Sequence, residues 1–192
     1  MKRLGIILLL LVSISSFAKS QNVYGNCYRG FVDVGYDIGV GDYQFGRFEI
    51  SSSHGYQVNP FFFVGAGFGL HFMSEYETPN MSIALDVRDS SVEIPLFANL
   101  KCNFTKSKIA PFIDLKAGTF VTNNGGLYIN ISGGCRIATK DKQAVNVSVG
   151  YTMQKLEFET FDRFISSSSM AHLREPRVLN TEGVTIKVGY EF

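Results

Sequence analysis

Apolar and polar residues alternate along most of this chain with a period of two, the period at which successive side chains of a β-strand face opposite ways. From Tyr28 to Ile38 the even positions are Tyr28, Gly30, Val32, Val34, Tyr36 and Ile38, against Arg29, Phe31, Asp33, Gly35 and Asp37 on the odd ones. The same alternation recurs over Phe61–Phe72, Val92–Phe104, Ile109–Gly118, Leu127–Ile137, Val145–Gln154 and Val184–Phe192. One more run, Phe45–Val58, is weaker, because Ser52 and His54 interrupt the face that carries Phe48, Ile50, Tyr56 and Val58. It is assigned as a strand partly because its neighbours need one between them. The chain thus predicts an all-β fold of eight strands.

Alternation alone does not say which face is enclosed. No Asp, Glu, Lys or Arg falls on the apolar face of any run. The other face carries Arg29, Arg47, Lys101, Lys116, Arg136 and Lys187 against Asp33, Asp37, Glu49, Glu93, Asp114 and Glu191. Such a balanced set can neutralise itself inside a narrow lumen. The connections also alternate in length. Asn59-Pro60, Thr105–Lys108 and Thr139–Lys142 are tight, whereas Gly39–Gln44, Ser74–Ser90, Thr122–Gly125 and Lys155–Glu182 fall between them, two of these long. Short turns on one side and longer loops on the other mark a transmembrane barrel of the outer-membrane kind. Aromatic residues gather near the ends of the apolar faces, with Tyr28, Phe62, Phe104, Tyr190 and Phe192 near one rim and Tyr36 and Phe72 near the other. These observations predict an eight-stranded antiparallel up-and-down β-barrel, turned apolar side out, with its N-terminus in the periplasm of a Gram-negative cell.

The first residues stand apart from this pattern. Lys2 and Arg3 precede an apolar stretch from Gly5 to Ile14, and Ala18-Lys19-Ser20 places small residues three and one before Gln21. This is the anatomy of a secretory signal peptide over 1–20, leaving 21–192 as the outer-membrane barrel domain. The stretch is shorter than the ~20 residues of a spanning helix, and no later segment is long and apolar enough for one. A net charge of +1 with no basic run gives no nucleic-acid signature. Cys27, Cys102 and Cys135 are too few and odd in number for a disulfide framework, and their spacing is not that of a zinc site. No cofactor or metal is expected.

The opening Arg29-Gly30-Phe31-Val32-Asp33, the Gly-rich Phe63-Val64-Gly65-Ala66-Gly67 and the closing Val188-Gly189-Tyr190-Glu191-Phe192 resemble the small eight-stranded outer-membrane barrels of the OmpA/OmpX type. In particular they resemble the porin-family barrel domains of Bacteroides-like bacteria. The resemblance covers about Tyr28–Phe192 and implies that Tyr190 and Phe192 form the C-terminal signal read by the barrel-assembly machinery. The chain lacks the C-terminal peptidoglycan-binding domain of the OmpA kind, which puts a wall-tethering role in doubt.

The candidate chemistry is sparse. His54 follows Ser51-Ser52-Ser53 on the nominal lipid face, so a Ser/His hydrolase acting on lipid A is one alternative, but no motif supplies nucleophile, base and orienting group together. His71 reads as an outer-rim lumen residue and His172 as a loop residue. A narrow pore or small-solute transporter is the other alternative. Eight-stranded barrels have interiors that side chains fill, and Phe31, Phe61, Phe63, Phe97, Phe112 and Phe120 are expected to point inward. Gly65, Gly67 and Gly69 are expected to make room for them. The reading favoured by the sequence is a non-catalytic structural or interaction protein of the cell envelope. It is surrounded by outer-membrane lipid and lipopolysaccharide, and a surface ligand would meet its loops, among them Phe158, Phe161, Phe164 and Ser166–Ser169.

Overall fold

A strand with charges on one face and branched apolar residues on the other must hide one of the two. In the computed structural model the hidden face is the charged one. The structure describes residues 27–77, 84–122, 126–140, 143–162, 172–173 and 176–192. The leader expected over 1–20, Phe164 and the Ser166–Ser169 run lie outside them.

Twelve strands occur among the described residues: β1 (Cys27–Val40), β2 (Gly46–Gln57), β3 (Phe62–Met73), β4 (Tyr76–Glu77), β5 (Ala84–Arg88), β6 (Ser91–Glu93), β7 (Pro95–Asn103), β8 (Ile109–Phe120), β9 (Leu127–Lys140), β10 (Gln143–Asp162), β11 (His172–Leu173) and β12 (Arg177–Glu191). Eight of them close a barrel in the order β12-β1-β2-β3-β7-β8-β9-β10, with β10 paired back onto β12. Every pairing is antiparallel, and neighbours in sequence are neighbours in the wall. The seam between the first and last strands runs from Phe31 opposite Glu191 to Val40 opposite Glu182. Gly30 and Phe192 extend it by exchanging backbone hydrogen bonds of 2.9 and 3.0 Å. β6 and β7 form one stave, interrupted at Ile94, whose N–H donates to Thr122 Oγ1 at 3.0 Å and whose carbonyl accepts from Val121 at 2.9 Å. Pro95 follows, a residue with no N–H to give a ladder.

The register keeps each face in phase around the wall. Val34 lies between Val188 and Ile50, and Ile50 faces Leu70, all on the outside. One residue along, Gly35 lies between Lys187 and Glu49, Glu49 faces His71, and His71 faces Glu93, all on the inside. Outward side chains such as Val149 and Ile131 are 56% and 50% exposed, whereas inward Lys116 and Arg47 are 1% and 2% exposed. A wall this apolar far exceeds the roughly few hundred Å² patch that a soluble monomer shows to water. The medium it fits is hydrocarbon, in which a closed barrel leaves no backbone group unpaired. The protein is a transmembrane β-barrel.

The seventh and eighth runs prove longer than their alternation predicts. β10 continues to Asp162 and β12 begins at Arg177, so much of the expected Lys155–Glu182 loop is strand. The connection expected over Ser74–Ser90 likewise contains β4 and β5, with β5 paired on the far end of β10. The reason is a change of phase. Inward positions of β10 pass from Thr152 and Gln154 to Leu156 and Phe158, while outward ones pass from Tyr151 and Met153 to Lys155 and Glu157. Backbone pairing continues past the bilayer, but polarity inverts there, and a period-two reading of lipid-facing residues stops at the inversion. Tyr151 marks the level by donating to Glu182. The weak second run is fully paired on both sides as β2.

A cation placed among the outward residues at mid-wall should be costly, and one beyond the inversion should not. Val34→Arg is expected to lower stability by about 2–4 kcal/mol, and Glu159→Arg to change it little, in denaturant titrations of the barrel in lipid vesicles.

Candidate functional site: a sealed lumen

The twelve ionisable residues expected inside the barrel all face the lumen. Nine are buried, and Arg29, Asp33 and Arg136, toward the end where β1 begins and β12 ends, are half-buried. At that end Glu191 of β12 accepts from Arg29 of β1 and, in a two-pronged pair of 2.7 and 2.9 Å, from Arg136 of β9. Lys101 of β7 points its ammonium at the rings of Phe31 and Phe112, 4.4 and 4.1 Å from their centroids. Phe63 packs edge-on to Phe31 at 4.8 Å. Phe61 departs from expectation: it precedes β3, lies half-buried at the rim, and meets Lys106 rather than the lumen.

The middle of the lumen is a lattice of charges. Lys116 donates to Asp33 at 2.6 Å and to Ser51 at 3.0 Å. Asn99 donates to Asp114. Lys187 donates to Asn130 at 2.7 Å and pairs with Glu49 at 3.2 Å. That pair forms across Gly35, where a Cβ would stand 2.9 Å from Lys187 Cγ and 3.2 Å from Glu49 Cγ. The absent side chain on β1 lets its two neighbours meet. Gly67 does the same for Phe97, whose ring would lie 2.7 Å from an added Cβ. Asn130, Thr152 and Thr185 continue the network, and Thr185 and Arg47 each donate to Asp37 at 2.5 Å. His71, fully buried rather than at a rim, lies 3.5 Å from Glu49 and between the rings of Phe120 and Tyr128. The space left among Asp33, Lys101, Asp114, Asn146 and Lys187 is about 10 Å³, room for roughly one water.

Above this lattice the loop end is closed by an apolar cap that the sequence did not reveal. Phe45, Met73, Phe120, Tyr128, Leu156 and Phe158 form one buried cluster, with Tyr43 and Tyr76 packed on it. Tyr43 and Tyr76 lie 5.1 and 5.9 Å from Phe158, ring to ring. Arg88 of β5 fastens the cap. Its guanidinium donates to the Glu157 carbonyl at 2.7 Å, Ser91 at 2.9 Å and Glu93 at 2.5 Å, and sits 5.8 Å from the Phe158 centroid. Glu93, expected in the lumen, therefore finds its cation in a segment read from sequence as loop. Tyr43 donates to Asp86 at 3.4 Å, and burial together with that carboxylate raises its phenol above the usual range.

Outside the wall, His54 receives more company than the sequence assigned it. Its ring nitrogens hydrogen-bond Tyr28 Oη and, at 2.9 Å, Ser52 Oγ. A nucleophile, a base and an orienting hydroxyl thus coincide. Ser52 is nevertheless only 5% exposed, and β1 and β3 flank it with paired ladders that engage the N–H groups an oxyanion hole would need. Among the described residues no cluster of His, Cys, Asp and Glu is arranged to hold a metal. Cys27, Cys102 and Cys135 are free thiols. His172 and Phe161 are placed by their backbone alone, facing one another's strands in the β10–β11 pairing.

A closed wall, apolar outside, with a self-neutralised charged filling, defines the class: an eight-stranded transmembrane β-barrel. No family model matches the chain, and no curated protein matches its sequence. Among solved structures it is similar to a de novo designed transmembrane β-barrel, at 14% identity and a TM-score of 0.44 over 90% of this chain and 99% of that one. It is also similar to Neisserial surface protein A, at 12% identity and 0.42 over 85% and 95%. The likeness to OmpA/OmpX-type barrels rests on the sequence motifs alone.

Removing one member of a buried charge cluster leaves the others uncompensated. Glu191→Ala, which leaves Arg29 and Arg136 facing each other, should cost about 3 kcal/mol, read as a lowered unfolding midpoint, with Glu191→Gln intermediate. Arg88→Ala should speed hydrogen exchange in β5 and the outer part of β10 and leave β1–β3 unchanged.

Proposed function

We propose that this protein is a structural and interaction barrel of the Gram-negative cell outer membrane, a non-conducting scaffold that catalyses nothing and presents its loop end to the outside. The observation that carries this reading is the filled lumen. A solute entering from the loop end meets the aromatic cap first, then the Arg47–Asp37–Glu49 and Lys116–Asp33 charges, then the Lys101 and Phe31 layer. Each layer is held by side chains from several staves, so no single rotamer change clears a path. The chemistry left for partners is at the surface. Lipid and lipopolysaccharide contact the apolar wall, and a ligand of the loop end meets the cap and the β4–β5 pair. The short turns, the start of β1 and the end of β12 share the other end, which fits an exported chain inserted from the periplasm by the barrel-assembly machinery through Tyr190 and Phe192.

Two measurements test this. In outer-membrane fractions the unboiled protein should run faster on gels than the boiled one, as a detergent-resistant closed barrel does. In planar bilayers the purified barrel should give no current above the bare membrane. Discrete conductance steps would replace this reading with the narrow pore.

A further inference from the structure

We propose that the end of the barrel where β1 begins and β12 ends is a docking surface for anionic phospholipid headgroups, which sets how the barrel sits in its bilayer. The inference rests on the membrane location argued above and goes beyond it to a lipid class and a face.

The observations are charges sorted by end. Lys106 and Lys108 are exposed on the turn between β7 and β8, and Lys140 ends β9, two staves around the same rim. In sequence Asp141 and Lys142 follow and offset each other. Just inside the mouth lie Arg29 and Arg136. Among the described residues the acidic side chains toward this end are Glu191, which both arginines already hold, and Asp33, which Lys116 holds. Among the described residues the opposite end is acidic. Asp42, Glu75, Glu77, Asp89, Glu159 and Glu182 are exposed there, against Lys155 and Arg177.

Lys106 and Lys108 also stand at the right height. Directly below them on the outer wall are Phe104, Ile109 and Phe62, 55%, 59% and 51% exposed. Aromatic residues of this kind lie at the headgroup level of a bilayer. A lysine on such a rim can lay its stem along the apolar wall and keep its ammonium among the headgroups. Lys106 is held at this rim by Phe61, with Nζ 5.4 Å from the ring centroid. An anionic headgroup layer attracts near-surface cations over about one Debye length. The same layer repels the acidic loop end, so the two ends together favour one orientation and one leaflet.

The test is to refold the full chain into phosphatidylcholine vesicles with and without phosphatidylglycerol. The unfolding midpoint is then followed by gel mobility at low and high salt. The expected result is a higher midpoint with the anionic lipid, a gain that shrinks several-fold at high salt and disappears in a Lys106→Gln, Lys108→Gln, Lys140→Gln variant whose midpoint in phosphatidylcholine is unchanged. Equal midpoints in the two lipids, or a gain that survives in the triple variant, would overturn the proposal and leave the barrel reading intact. No folded band in either lipid would instead defeat the barrel's membrane location and this inference with it.

Discussion

Hydrocarbon offers no hydrogen bonds, so a chain that crosses it in strands must pair every backbone N–H and C=O within itself. In this protein that constraint is met where β12 joins β1 on one side and β10 on the other. An open sheet with the same eight staves would leave two edges in lipid. Once closed, the wall has a small fixed circumference, and inward side chains are pressed into one another. The rest of the structure follows from that crowding.

A narrow lumen can hold charge only if each group finds a partner from another stave. Lys116 of β8 reaches Asp33 of β1, Arg136 of β9 reaches Glu191 of β12, and Lys187 of β12 reaches Glu49 of β2 over Gly35. These pairs also tie register to survival. A slip by one residue in any stave would turn its charges to the lipid and its valines to the lumen. Glycine is as necessary as charge here, since the long side chains of one stave occupy the space another stave leaves empty. Among the described residues the lumen is therefore packed as a core, built of ion pairs where a soluble core is built of hydrocarbon.

Past the bilayer the rules reverse. β10 keeps its pairing with β12 beyond Gln154, but its enclosed face becomes Leu156 and Phe158, because outside the membrane the solvent is water and the ordinary hydrophobic effect returns. The cap over the loop end is a small soluble-type core set on a membrane-type one. Arg88 bridges the two, with its charge on lumen Glu93 and its plane near Phe158.

Much of this was legible in the chain. The eight staves, the identity of the enclosed charges and the parity of short turns and longer loops follow from strict alternation, because a residue's face is set by its position within its own strand. What alternation cannot carry is anything that joins strands far apart in sequence. The partners of the lumen charges, the Tyr28–His54–Ser52 contact on the outer wall and the cap gathered from Phe45, Met73, Phe120 and Phe158 depend on stagger between staves and on closure. Arg88 was invisible for the same reason, since it lies where no period holds and acquires its role only when β5 pairs with β10. Which face each residue takes is local geometry, set by its place in its own strand. Which residues meet is set by how the closed wall staggers its strands.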